Sequence, residues 1–258
     1  MHQPDQRTIL QSIAADVRAS SCSHADAEPT QVASGSHLLA VHQKGRLGLA
    51  SRLHGASDSM DLLGERAAPR ALPSLSELAD SLPDHAVPDA PSLAPSLALA
   101  AANALLPVPD SASPLKGQDL LLEHGAGKNA VVIGHFPFVS KIAKEFNSFH
   151  VLELHPRPGD LPATAARDVL PGAGVVAATG TTLLNGTLAN ILALCPNAFV
   201  LLLGPSTPFA HSLFRVGVDA IAGNAITDPD AVIAGVSAGL PYRKLNGVES
   251  LIWLASDI

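Results

Sequence analysis

Aromatic side chains, charge and cysteine are all scarce in this chain, and each scarcity narrows what it does. Phe, Trp and Tyr make up only 3% of the 258 residues, so the core must be built from Ala, Val, Leu and Ile. Charged residues reach just 15%, no basic block occurs, and the net charge is −7. That argues against a nucleic-acid partner, which would need a cationic footprint. The two cysteines, Cys22 and Cys195, are too few for a disulfide framework or a thiolate metal cage, so a reduced, cytoplasmic protein is expected. The N-terminal residues carry Asp5, Arg7, Asp16 and Arg18 and have no apolar core of signal-peptide length.

One long uncharged stretch tests a membrane reading. From Val169 to Phe214 there is no Asp, Glu, Lys or Arg, but Pro171, Gly180, Gly186, Pro196 and Pro205 cut the run into strand- and helix-sized pieces. It reads as the buried centre of a soluble sheet, and no membrane partner is expected.

What is present is a regular alternation in the second half. Apolar runs at 130–133, 149–154, 174–178, 198–203, 219–222 and 248–254 read as strands. Helical patterns at 138–146, 162–170, 182–194, 208–216 and 228–238 fall between them. This predicts an α/β, Rossmann-like parallel sheet with right-handed crossovers; its strand order is not readable from the sequence. The first half reads as a smaller α+β unit. It has a helix at 5–19, a hairpin turning at Gln43-Lys44-Gly45-Arg46, a capping box at Ser74–Glu77 and an Ala/Leu helix at 92–106. Residues 56–73 read as a loop and 83–91 as a linker. The boundary falls between Pro107 and Lys128, giving domains of 1–115 and 116–258. The Ala/Leu helix is also the expected surface for a homo-oligomer.

Ligands of parallel sheets bind beyond the carboxyl ends of the strands. There the sequence offers Gly134 and His135, then Glu153 and His155, then Thr179, Gly180, Thr181, Thr182 and Asn185, then Gly204, Ser206 and Thr207. Thr181 or Thr182, and Ser206 or Thr207, are expected to open helices. The free amides of such starts, with adjacent hydroxyls, suit a carboxylate or phosphate. Glu153 lies where a dinucleotide-binding fold places its ribose-binding acid, but Gly134-His135-Phe136-Pro137 lacks the three-glycine fingerprint. His135 and Glu153 are the candidate catalytic residues, His135 as a general acid/base or a hydrogen-bond donor. Together with His155, and with His211 as a further candidate, they are the candidate ligands for a divalent transition metal. Cys195 reads as a core thiol.

The motifs GHFPFV, VLELHPRPGDLPA, TGTTLLNGTL, LLGPSTPFAHSLFRVGVDAIAG and DPDAVIAGVSAG resemble the heavy-metal chelation domain family, long labelled a domain of unknown function. SLSELADSL and SLALAAANALLP resemble its accompanying N-terminal domain. The resemblance implies an enolase N-terminal-like domain capping a Rossmann-like one. It also implies a site in the interdomain cleft and a role in binding a metal or metal chelate, or in making a chelator. It places His135, Glu153, Thr181, Asn185, Ser206 and Thr207 in the motifs facing that cleft. Two functions are therefore expected to compete. One is a protein that handles a metal, metal chelate or small anionic ligand. The other is a transferase binding a nucleotide- or S-adenosylmethionine-like cofactor.

Overall fold

The computed structural model describes residues 4–20, 30–53, 73–87 and 92–258. Cys22, the expected loop at 56–73 up to residue 72, and residues 88–91 of the expected linker lie outside them.

The chain opens with helix α1 (Gln6–Ser20), started by the Asp5 carboxylate, which accepts from the Thr8 N–H at 2.8 Å. Its Ile9, Leu10, Ile13 and Val17 recur at helical spacing and are buried. Strands β1 (Gln31–Ser34), β2 (Leu38–Gln43) and β3 (Arg46–Ser51) form an antiparallel sheet in that order. The expected hairpin joins β2 to β3 through Lys44 and Gly45, both left-handed. Helix α2 (Leu75–Asp80) carries the expected capping box, with Glu77 N–H donating to Ser74 Oγ and Ser74 N–H to the Glu77 carboxylate.

Helix α3 (Ala94–Leu105) is the Ala/Leu segment. From Ala98 to Ala102 its residues are 0% exposed, so it is a central core helix. A helix apolar on all sides is covered on all sides. The expectation that it offers a surface to a second copy is therefore corrected.

Helix α4 (Gly117–Gly125), which the sequence reading passed over, leads into a seven-stranded sheet. Its strands are β4 (Asn129–Ile133), β5 (Ser148–Glu153), β6 (Leu161–Pro162), β7 (Val175–Thr179), β8 (Phe199–Leu203), β9 (Ala220–Ile226) and β10 (Val248–Leu254). The order is β10-β9-β8-β7-β4-β5-β6. All neighbours are parallel except β10, which runs antiparallel to β9. The outer edge of β10 is closed by Ser113, whose N–H and C=O both pair with Ile252, so the edge offers little free ladder there.

The helices between strands are shorter than the periodicity predicts. They are α5 (Val139–Ile142), α6 (Ala166–Val169), α7 (Thr181–Leu184), α8 (Leu188–Leu194), α9 (Ser212–Arg215) and α10 (Pro229–Ser237). The expected helix at 182–194 is broken at Asn185-Gly186, where Gly186 takes φ +75° and α1 reaches into the gap. Gln6 Nε2 donates to Leu183 O and Gln6 Oε1 accepts from Ala189 N–H, both at 3.1 Å. The expected helix at 208–216 starts late because its cap comes from α1: the Asp16 carboxylate accepts from Ser212 N–H at 2.7 Å.

These ties run through a shared core. Ile9, Leu10 and Ile13 of α1 and the face of α3 belong to one cluster with Val176, Leu183, Leu202 and Trp253. Leu38, Ala40, Leu47 and Leu49 pack instead on Val232 and Val236 of α10. The N-terminal elements are thus built into one face of the seven-stranded layer. Among the described residues no helix is long and apolar enough to cross a membrane.

Candidate functional site

Strand order fixes where a ligand can sit. From β4 the chain moves one way to β5 and β6, then returns to place β7, β8 and β9 on the other side. The reversal leaves a crevice between the carboxyl ends of β4 and β7, the position where open α/β sheets bind ligands. A cavity of about 830 Å³ occupies it. Its wall is made by Ile133, Gly134 and His135 after β4, by Leu152, Glu153, Leu154 and Arg157 after β5, and by Thr179, Thr181 and Thr182 after β7. Residues from α6 and α8, including Arg167, Asn190 and Ile191, close it, with Asn185 and Thr187 between α7 and α8. Gly134 sits at φ +101° and faces Thr179, so the two strand ends meet without a side chain between them.

The polar groups divide into those already committed and those still available. Thr179 and Thr181 share a hydroxyl–hydroxyl hydrogen bond of 2.7 Å, and Thr182 Oγ1 donates to Thr179 O at 2.7 Å. Asn185 Oδ1 accepts from the N–H and the hydroxyl of Thr187, fixing the bend between α7 and α8. His135 Nε2 lies 3.7 Å from Asp160 Oδ2, and that carboxylate, only 7% exposed, also accepts from Arg157 N–H at 2.9 Å. The guanidinium groups of Arg157 and Arg167 have no carboxylate partner among the described residues, and Glu153 is the one carboxylate in the lining. The cavity therefore carries two uncompensated cations against one acid. It also has an apolar side of Ile133, Leu152, Leu154, Ile191 and Leu194.

Residues 116–252 match the family model described as "Putative heavy-metal chelation", DUF364. The chain belongs to this family. Two solved DUF364 structures, both titled as proteins of unknown function, share the fold. The one from Desulfitobacterium hafniense is 19% identical, with a TM-score of 0.78 over 96% of this chain and 98% of its own. The one from Pyrococcus horikoshii is 18% identical, with a TM-score of 0.71 over 96% of this chain and 100% of its own. No curated protein matches the chain.

Not every residue singled out in this DUF364 sequence reaches the cavity. Gly134, His135, Glu153, Thr179, Thr181, Thr182 and Asn185 line it, whereas Gly180, Gly204, Ser206, Thr207 and His155 do not. Ser206 and Thr207 are 1% and 2% exposed and do not open a helix, a correction of the expected cap. Ser206 Oγ accepts from Ser51 N–H of β3 at 2.7 Å, and Pro205 O accepts from the side-chain amides of Asn103 and Asn224. The loop after β8 is thus covered by β3 and α3. Gly180 serves the same contact, since a Cβ there would lie 2.7–2.8 Å from the Ser206 carbonyl. The large cavity belongs to residues 133–194, so it does not coincide with the expected interdomain cleft.

Among the described residues no three His, Cys, Asp or Glu side chains converge as a metal-binding group, so His135, Glu153 and His155 do not make one. His155 is exposed, in the bend that follows β5. His211 sits apart, its Nδ1 3.1 Å from Arg215 and its ring near Trp253. Cys195 is buried, and burial, reinforced by the Asp219 charge, pushes its thiol up to about 11. It stays a neutral thiol at neutral pH, as a core residue would.

Sequence reasoning missed Arg157, Asp160 and Arg167. The signal was in HPRPGD, where Pro158-Gly159 turns the chain and sends Arg157 and Asp160 back toward the end of β4.

Proposed function

We propose that this protein takes part in heavy-metal handling by binding a small anionic ligand, either a metal chelate or the chelator itself, in the cavity between β4, β5 and β7. The observation that carries this reading is the charge of the lining: Arg157 and Arg167 line a volume of about 830 Å³ that holds one acid, Glu153. An ion alone would need three or four protein donors converging on a point. A ligand-sized cavity with two cations and threonine hydroxyls suits carboxylates on an organic frame. The start of α7 adds little, because α7 is a single turn and its dipole is correspondingly small.

Isothermal titration of tag-free protein with citrate, zinc citrate and zinc chloride tests the reading. Citrate and its zinc complex should bind, and zinc chloride should show only non-specific uptake. The double variant Arg157→Ala/Arg167→Ala should weaken citrate binding about tenfold, or about 1.4 kcal/mol. Equal affinities in variant and parent would overturn the proposal.

A second reading has one observation in its favour. Glu153 ends β5, the strand beside the central β4, where nucleotide-binding relatives of this topology hold a ribose. Under it, the cavity takes a nucleotide- or S-adenosylmethionine-like cofactor and serves a transferase. Thermal-shift responses confined to ATP, NAD or S-adenosylmethionine, and lost in Glu153→Gln, would favour it over the first.

A further inference from the structure

We propose that His135, oriented by Asp160, binds directly to the metal of an incoming anionic chelate, so that the cavity selects chelates with an open coordination position. This deepens the anionic-ligand reading above and rests on it.

Among the described residues no group of three metal-binding side chains exists, so a bare cation finds too few donors here. A chelated metal brings most of its donors with it and needs only one or two more. His135 lines the cavity and is 28% exposed on its side chain, so it is reachable by a ligand.

Asp160 orients the imidazole: the ring nitrogen beside it is Nε2, 3.7 Å from Oδ2. That carboxylate is 93% buried and pinned by the Arg157 N–H at 2.9 Å, so it is a fixed acceptor rather than a mobile surface charge. A carboxylate beside one nitrogen keeps the proton there, which leaves Nδ1 with its lone pair and raises its strength as a donor. Metal-binding histidines are characteristically held in this way. The separation exceeds a hydrogen bond, as such contacts often do before a ligand arrives.

The charges of the cavity agree. Arg157 and Arg167 line it and are suited to a chelator's carboxylates, while Glu153 is the single acid in the lining. Binding is then a ligand exchange at the metal. One metal–water bond breaks, one metal–Nδ1 bond forms, and the water leaves; no proton or electron is transferred. A chelate whose chelator fills every position offers no water to exchange.

The test uses tag-free full-length protein with one equivalent of copper(II) nitrilotriacetate, which has water-occupied positions, or copper(II) EDTA, which has none. Electron spin-echo modulation from the remote imidazole nitrogen reports a coordinated histidine. The nitrilotriacetate complex should show it, and the EDTA complex should bind without it. His135→Gln should abolish the signal, and His155→Gln, an exposed control, should leave it unchanged. Asp160→Asn should weaken binding of the nitrilotriacetate complex about tenfold, the usual effect of removing such a supporting carboxylate. An undiminished signal in His135→Gln, or the same signal with the EDTA complex, would overturn the inference while leaving the anionic-ligand reading intact. Failure of both complexes to bind would remove that reading and the inference with it.

Discussion

The loops after β7 and β8 are written in nearly the same letters and end up in opposite roles. Thr179-Gly180-Thr181-Thr182 follows one strand, and Gly204-Pro205-Ser206-Thr207 follows its parallel neighbour. Both leave the same edge of the sheet, and both carry glycine and hydroxyls. The first lines the open cavity. The second is sealed beneath β3 and α3, with its Ser206 hydroxyl and Pro205 carbonyl consumed by Ser51, Asn103 and Asn224. A loop's composition therefore says what it could bind. Which partner reaches it first, a ligand or another part of the chain, depends on what packs above it.

This contrast can be broken most severely at Gly180, the point where the two loops touch. In Gly180→Val the new side chain would meet the Ser206 carbonyl and the Thr207 hydroxyl at under 3 Å. A loss of about 2–3 kcal/mol in stability is expected, read as a lowered denaturation midpoint with an unchanged slope. A stable variant would mean that the loops are not packed together as described.

A matched pair of hydroxyl deletions sharpens the comparison. Ser206→Ala leaves the Ser51 N–H without its acceptor and should cost about 1–2 kcal/mol in urea unfolding, with little effect on citrate titration. Thr181→Val should do the reverse, weakening citrate binding a few-fold at nearly constant stability, because its hydroxyl faces the cavity and pairs only within it. If the two variants exchanged phenotypes, the assignment of one loop to the ligand and the other to the scaffold would be wrong.

The smallest effect is expected at Thr207→Val. The Thr207 hydroxyl and Asn103 Oδ1 are buried without a partner among the described residues, and both residues border a small cavity of about 10 Å³. If that hydroxyl makes no bond, the isosteric change should be neutral or slightly stabilising. A loss above about 1 kcal/mol would instead indicate a water joining the two, which a high-resolution crystal structure would show directly; the volume is close to the minimum that holds one.

Much of the fold is legible in the sequence. Alternating apolar runs and helical patterns located six of the strands in the seven-stranded sheet, and the Ser74–Glu77 box and the Lys44-Gly45 turn formed where their chemistry required. The two-residue β6 carries too little pattern to be seen. Helix lengths were overestimated wherever α1 intervened, since Gln6 and Asp16 bind backbone far away in sequence and no local pattern encodes that. Asn103 was a clue left unread. A lone amide inside an Ala/Leu helix must find partners when buried, and its partners Leu49 and Pro205 lie in the two units it joins.

By itself the sequence determined the class of the protein. Its periodicity dictates strands and helices in alternation, its composition dictates an aliphatic core, and its motifs carry the family. Only the tertiary structure decided the site. Strand order selected the β4–β7 crevice among several strand-end loops. Packing of β3 and α3 removed Ser206 and Thr207 from solvent. The Pro158-Gly159 turn brought Asp160 beside His135. Such contacts join residues far apart along the chain and depend on which surfaces are covered. Local propensity fixes what each segment can become, and long-range burial fixes which of its polar groups remain available to a ligand.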